Sequence, residues 1–230
     1  MHLIWDGLRE AVELLARGDD VVLSTAARSL YVSGLATLVS LAFGVALGAF
    51  LAFQRFPGRN IAMAFVNTGM GLPPVVVGLV VAIVLWRSGP LGRMHLIYTP
   101  WAMILAQALL AFPIVTGFTA AALGASRPEL RLQLFGIGAS RWQALWILIK
   151  EARLPLLAAV MAAFGAAVSE VGASMMVGGN IAGETRVLTT AVVLETSRGD
   201  FAPAIALSLI LLALIFAVSL ILTTVQLKER

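Results

Sequence analysis

Apolar residues in this chain come in long unbroken blocks. Residues 29–54, 60–86, 94–126 and 201–227 contain no Asp, Glu, Lys or Arg, and a fifth block runs from 154 past a single acid, Glu170, to Val177. A helix crossing the hydrocarbon layer needs about 20 mostly apolar residues. Backbone groups in lipid must be satisfied within their own segment, so such blocks become helices. The pattern predicts five spans, over 29–53, 61–86, 100–123, 154–177 and 204–226. None of these blocks alternates with a period of two, as strands of a closed β-barrel would. Ahead of them the pattern changes. Ile4, Trp5, Leu8, Val12 and Leu15 share one helical face, with Asp6, Arg9, Glu10, Glu13 and Arg17 on the other. This reads as an amphipathic helix at the interface or against the other helices, ended by Gly18-Asp19-Asp20. The chain thus divides into an N-terminal segment (1–23), a membrane domain (24–226) and a tail (227–230).

Composition narrows the class. Of 230 residues, 60% are apolar and 12% charged, and the mean hydropathy is +0.96. A soluble fold of this length cannot hide so much apolar surface. The fold class is all-α, a polytopic membrane protein. The net charge of +4 reflects few acids more than a basic patch for nucleic acid. There is no cysteine, and the two histidines, His2 and His95, lie far apart, so a cysteine or multi-histidine metal site is excluded. Neither lysine, Lys150 or Lys228, follows the glycine spacing of a phosphate-binding loop. No cofactor is expected and no ATP hydrolysis by this chain. Asp6, Glu10 and Glu13 stand where a signal peptide would be basic. Five spans put the termini on opposite sides. With the N-terminus outside, Arg55, Arg59, Arg127, Arg131, Arg141, Lys150, Arg153, Lys228 and Arg230 lie inside, against seven arginines outside. Basic residues favour the inner side, so the N-terminus is placed out and the C-terminus in.

The longest inner connection, 127–153, is patterned like structure. Ser126 and Glu129 have capping-box spacing with Pro128 between them, and Leu130, Leu134 and Ile137 follow, with Leu132 and Phe135 beside them. Gly136 and Gly138 stop this helix. Ser140 and Gln143 start another, carrying Trp142, Leu145, Trp146 and Ile149. A loop this apolar buries its face against its own spans, a partner or the membrane surface.

Here the chain resembles a known family. Gly138-Ala139-Ser140-Arg141-Trp142, followed by Arg153-Leu154-Pro155, is similar to the cytoplasmic signature loop of ABC importer permeases. The family's Glu-Ala-Ala positions read Leu132-Gln133-Leu134. Gly71-Leu72-Pro73-Pro74-Val75 and Ser169-Glu170-Val171-Gly172-Ala173-Ser174, with the run through Gly178-Gly179-Asn180 and Thr185-Arg186 to Asp200, resemble the molybdate/sulfate/tungstate branch, most of all its tungstate permease subunits.

The resemblance implies a type I permease in the inner membrane of a prokaryote. It implies a homodimer, two copies of an ATP-binding subunit inside, and a periplasmic or lipid-tethered oxyanion-binding protein outside. The loop would be a coupling helix. Leu130, Leu134, Phe135, Gly138, Ala139, Ser140 and Arg141 would meet the ATPase, with Leu134 and Phe135 in its groove, Gly138 at the turn and Arg141 on acidic or carbonyl groups. Neutral donors suit passage of a dianion better than a deep positive trap, because a tightly held anion does not leave. Ser169, Ser174, Thr185, Thr189 and Thr190, with the amides around Asn180, are candidates for the path, and the alternative is that these hydroxyls bond nearby carbonyls. Arg186 would attract the anion at the entrance. Glu170, the one acid within a span, repels an anion, so a structural partner, Arg28 or Arg186, and a role in the outer gate are expected. Pro73-Pro74 and Pro113 read as kinks, in path-lining helices or in packing. The 178–200 segment reads as an outer loop with a short helix. Molybdate or sulfate remains an alternative cargo. An ion-coupled transporter or channel would carry several intramembrane charges or an internal repeat, and neither is found.

Overall fold

A run of uncharged residues marks hydrocarbon depth, whereas helix ends are set by caps and breakers. The computed structural model describes residues 2–125 and 128–228, apart from the side chains at 2, 3, 128, 129 and 131. The cap expected between Ser126 and Glu129 lies outside the described residues. Helix α1 (His2–Arg17) stops at Gly18, which takes φ +62°. Asp19 then caps α2 (Asp20–Phe53), its carboxylate accepting from the backbone N–H of Val21 and Val22 at 3.0 and 2.9 Å. Helix α2 therefore begins before the expected span at 29, because Arg28 ends an uncharged run without interrupting a helix.

Two of the five expected spans are broken. Helices α3 (Arg59–Met70) and α4 (Pro74–Leu85) are bent by 101° across Gly71-Leu72-Pro73. Two consecutive prolines remove two N–H donors there, and Pro74 opens α4 at a position where no donor is needed. Helices α8 (Arg153–Val168) and α9 (Gly172–Gly178) are bent by 57° across Ser169-Glu170-Val171. Helix α5 (Pro100–Gly124) is continuous through Pro113. A β-carbon on Gly69 of α3 would stand 2.8 Å from Cβ of Pro113, so that proline is a buried packing element. Helices α6 (Pro128–Gly136) and α7 (Arg141–Glu151) form the inner hairpin, and α10 (Leu188–Arg198) precedes α11 (Phe201–Lys228). Among the described residues three helices are long and apolar enough to cross a membrane alone, and up to five spans result when each bent pair counts as one.

The centre is α2 against α5. Ser40, Gly44 and Gly48 recur every fourth residue on α2. Ser40 Oγ donates to Ala108 O at 2.9 Å, and a β-carbon on Gly48 would lie 2.6 Å from Thr116 O. In lipid no hydrophobic force pulls helices together, so contact of this closeness between small residues supplies the attraction. Helix α8 covers this pair with the small residues Ala159, Ala163 and Ala167 and with Phe164. Helix α4 crosses α9 where a β-carbon on Gly78 would meet Ala173 Cα at 2.7 Å.

Helix α11 is peripheral. It meets α1 at Gly7, beside Ile205, and joins Ala11, Val22 and Leu188 through Ala206 and Ile210. Its Leu212, Phe216, Leu220 and Ile221 face outward. So do Ile4, Trp5, Leu8, Val12 and Leu15 of α1. The small edge of α1, rather than its large apolar face, packs on the bundle, which leaves the large face for lipid.

Candidate functional site

The inner hairpin is built by two local motifs. Gly138 N–H donates to Phe135 O at 3.0 Å and Ala139 N–H to Leu134 O at 2.9 Å, with Gly138 at φ +84°. These are the paired bonds of a helix end closed by a left-handed residue, a conformation that favours glycine. Ser140 then caps α7. Its Oγ accepts from Gln143 N–H at 3.3 Å, and Gln143 Oε1 accepts from Ser140 N–H at 2.8 Å, the reciprocal box its spacing predicts.

The hairpin has an inner and an outer face. Leu134 is only 7% exposed and packs with Ala49, Leu123, Ala144 and Leu148. Leu130 and Ala139 are half-buried against the same cluster. Leu134 therefore anchors the hairpin to α2 and α5, which corrects the expectation that it fills a partner's groove. The outward apolar residues around the turn are Leu132 (71% exposed), Phe135 (42%), Ile137 (82%) and Trp142 (80%), with Ser140 and Arg141 exposed beside them and Trp146 and Ile147 exposed further along α7. Leu132, Ile137 and Trp142 were not among the expected contacts. Their signal was present in the sequence: 130 and 134 share one helical face, and 132 and 135 share another.

At the opposite end, the expected path residues are largely engaged with the fold. Thr185 is fully buried; its hydroxyl donates to Gly178 O and accepts from Ile181 N–H at 2.9 Å. Thr189 Oγ1 donates to Glu170 O at 3.0 Å. Thr190 Oγ1 donates to Val187 O and accepts from Val187 N–H, at 3.0 and 3.1 Å. Ser174 accepts from Gln107 Nε2 at 3.0 Å inside the core. Asn180, at φ +52°, donates to Thr190 O at 3.3 Å, and Arg186 Nε donates to Asn180 Oδ1 at 3.3 Å. Ser169 alone among the candidate hydroxyls is exposed, and it donates back to Gly165 O at 2.8 Å. Most of these groups staple a loop and are not open to an anion.

Glu170 takes neither expected arginine. Its Oε1 accepts from Ala173 N–H at 2.9 Å, placing the carboxylate at the start of α9 beside the orphan amides there. Arg28 instead donates to Gly183 O at 2.7 Å and Arg186 O at 2.9 Å. Ser29 Oγ next to it accepts from Leu188 N–H at 2.8 Å. The loop's carbonyls, turned outward by the left-handed Gly179, Asn180 and Gly183, compete successfully for the guanidinium.

Bonding therefore divides at one peptide. Ser169 Oγ bonds only to α8, whereas Glu170 bonds only forward, to α9 and α10, apart from its own amide on Ala167 O. Helix α9, the 179–187 loop, α10 and the first turns of α2 form one braced unit. Tyr98 joins it, its N–H donating to Val177 O at 2.8 Å and its ring lying over Gly179. Sequence reading missed Gln107 and Tyr98. Gln107 was detectable as the only side-chain amide between 100 and 123.

Five apolar spans, two of them broken, with a braced unit at one end and a hairpin with an exposed apolar face at the other, make a helical multi-pass membrane protein. The chain belongs to the family of binding-protein-dependent transport system inner membrane components, whose pattern it matches over residues 44–229. It is 41% identical over 226 residues to the tungstate uptake system permease protein of Peptoclostridium acidaminophilum, covering 98% of this chain and 99% of that one. The counterpart from Campylobacter jejuni is 35% identical, with 96% and 92% covered. Among solved structures, an inward-facing MetNI methionine ABC transporter superposes with a TM-score of 0.74 at 18% identity, covering 91% of this chain and 96% of that one. That likeness shows the fold.

Proposed function

We propose that this chain is the membrane subunit of an ATP-driven tungstate importer, receiving its cargo from an oxyanion-binding protein outside and its drive from a separate ATP-binding subunit inside. The observation that carries the cargo is the end-to-end identity of 41% with a tungstate permease. The observation that supports the drive is the exposed apolar face of α6–α7, which a soluble side of a membrane protein does not leave uncovered.

The mechanism asks for motion rather than covalent chemistry. Two copies of the chain enclose the path. Helix α7 joins α8 at Ala152 with no intervening loop, so a displacement of the hairpin passes along α8 to the Ser169–Glu170 junction. Beyond it the braced unit tilts as one piece. ATP binding favours one of the two arrangements by gripping the hairpin differently in each, since a ligand shifts an equilibrium only through differential affinity.

The test is reconstitution with the ATP-binding subunit and binding protein in lipid vesicles. ATP turnover is expected to rise with tungstate-loaded binding protein, and to rise less with molybdate or sulfate. Equal stimulation by all three overturns the tungstate assignment. Uptake without ATP overturns the drive.

A further inference from the structure

We infer that the elbow between α2 and α3 is a binding site for the phosphate headgroup of an anionic phospholipid. No Asp or Glu occurs in this chain between Asp20 and Glu129, so Arg55 and Arg59, well inside that stretch, have no neighbouring acid along the sequence. Two of them, Arg55 and Arg59, stand together at the elbow and line a cleft of about 410 Å³ with Phe56, Gly58, Asn60 and Ile61. Arg59 is held in place because its Nε donates to Leu51 O at 2.7 Å, closing the end of α2. That single bond leaves the two terminal amino groups of its guanidinium for a ligand, since the fork carries five donors. Arg55 is exposed and, among the described residues, makes neither an ion pair nor a hydrogen bond.

What lies beside the charges selects a lipid over a soluble anion. Phe56 packs on Phe50 with ring centroids 5.5 Å apart. Phe50, Ile61 and Phe65 are exposed, and Ile61 and Phe65 sit one turn apart on the same side of α3. The cationic cleft therefore opens onto an apolar slope running along a spanning helix, the arrangement that matches a phosphodiester above acyl chains. The elbow is at the same end as the hairpin, because Ala52 and Phe53 pack in the cluster that holds Leu134 and Leu148. Its assignment to the cytoplasmic leaflet rests on the function proposed above, whereas the binding of lipid does not.

Each basic group near an anionic surface contributes roughly fivefold to affinity, and two contribute about thirtyfold. The experiment uses the full-length chain in complex with its ATP-binding subunit. Retained lipid is counted by native mass spectrometry after purification from vesicles of phosphatidylcholine with one fifth phosphatidylglycerol. The intact complex is expected to retain phosphatidylglycerol in preference to phosphatidylcholine. Arg55→Gln, which removes no bond of the fold, weakens that preference about fivefold. Arg59→Lys, which keeps the charge, weakens it less. Equal retention of the two lipids by the intact complex overturns the proposal. So does unchanged retention in Arg55→Gln accompanied by loss of the ATP-binding subunit, which assigns the arginines to acidic groups of that subunit instead. Neither readout requires transport, so a failure here leaves the cargo assignment standing, and the reverse holds.

Discussion

Thr185 and Ser169 carry the same functional group, and the fold uses them differently. The Thr185 hydroxyl satisfies two backbone groups of a loop that contains three left-handed residues, Gly179, Asn180 and Gly183. Thr185→Val keeps the shape and removes both bonds. Leaving the buried Gly178 carbonyl without this donor costs about 1–3 kcal/mol, and the partly exposed Ile181 N–H turns to water at less cost. A clear fall in melting temperature of the purified chain is expected, together with faster amide exchange across 178–186. Ser169→Ala, at an exposed hydroxyl bonded to its own helix, is expected to leave the melting temperature nearly unchanged. If the two variants melt alike, the staple is absent in solution. Gly138 is a second case in which one residue decides a geometry. At φ +84° a β-branched side chain is strained by about 1–3 kcal/mol, although nothing else stands within 4 Å of its β-carbon. Gly138→Val is therefore expected to leave the spans inserted while the ATP-binding subunit is lost on purification. Normal co-purification and uptake count against the hairpin as the drive contact.

At the scale of elements, the two faces of the inner hairpin separate stability from assembly. Leu134→Ser removes a buried anchor and is expected to lower the melting temperature of the chain alone. Ile137→Ser is expected to leave it unchanged and to weaken capture of the ATP-binding subunit. The same pair of measurements showing the opposite order places the contact on the wrong face. The crossing of α2 and α5 makes a similar prediction. Gly48→Ala brings a β-carbon to 2.6 Å from Thr116 O and costs about 1–3 kcal/mol, whereas Gly34→Ala, in open space, costs nothing measurable. Much of this was legible in the sequence. Uncharged runs gave the five spans, Gly138 and Ser140 gave the hairpin, and Pro73-Pro74 gave one break. The α8/α9 break was not, because no proline or charge pair marks it; the carboxylate of Glu170 meets Ala173 N–H at the start of α9 and its carbonyl accepts from Thr189 of α10, a tertiary bond that no local pattern shows. The inward turn of Leu134 was equally invisible, since periodicity defines a face without saying what covers it. The Glu170–arginine pairing failed for a related reason. Opposite charges at suitable depth suggested it, but the carbonyls of the 179–187 loop reach Arg28 first.

For the molecule as a whole, the way its polar groups are spent bears on where cargo is chosen. Of the hydroxyls expected along the path, Ser174, Thr185 and Thr189 are buried and bonded within the chain, and Arg28 and Arg186 are occupied by backbone or amide oxygens. A site that discriminates between oxyanions of similar shape needs several fixed donors facing the ligand, because selectivity arises from groups left unpaired by the wrong one. This chain holds its donors for its own loops. The importer is therefore expected to pass tungstate and molybdate in the ratio in which its binding protein delivers them. With the intact assembly in vesicles and binding protein saturated separately with each anion, uptake per ATP is expected to agree within about twofold between the two, while competition for the unloaded binding protein shows the full preference. The lower stimulation of ATP turnover by molybdate then comes from weaker docking of the molybdate-loaded protein and not from rejection along the path. A tenfold difference in uptake per ATP at equal loading would place the filter in the membrane, and would require a conformation in which the stapled loop releases its donors.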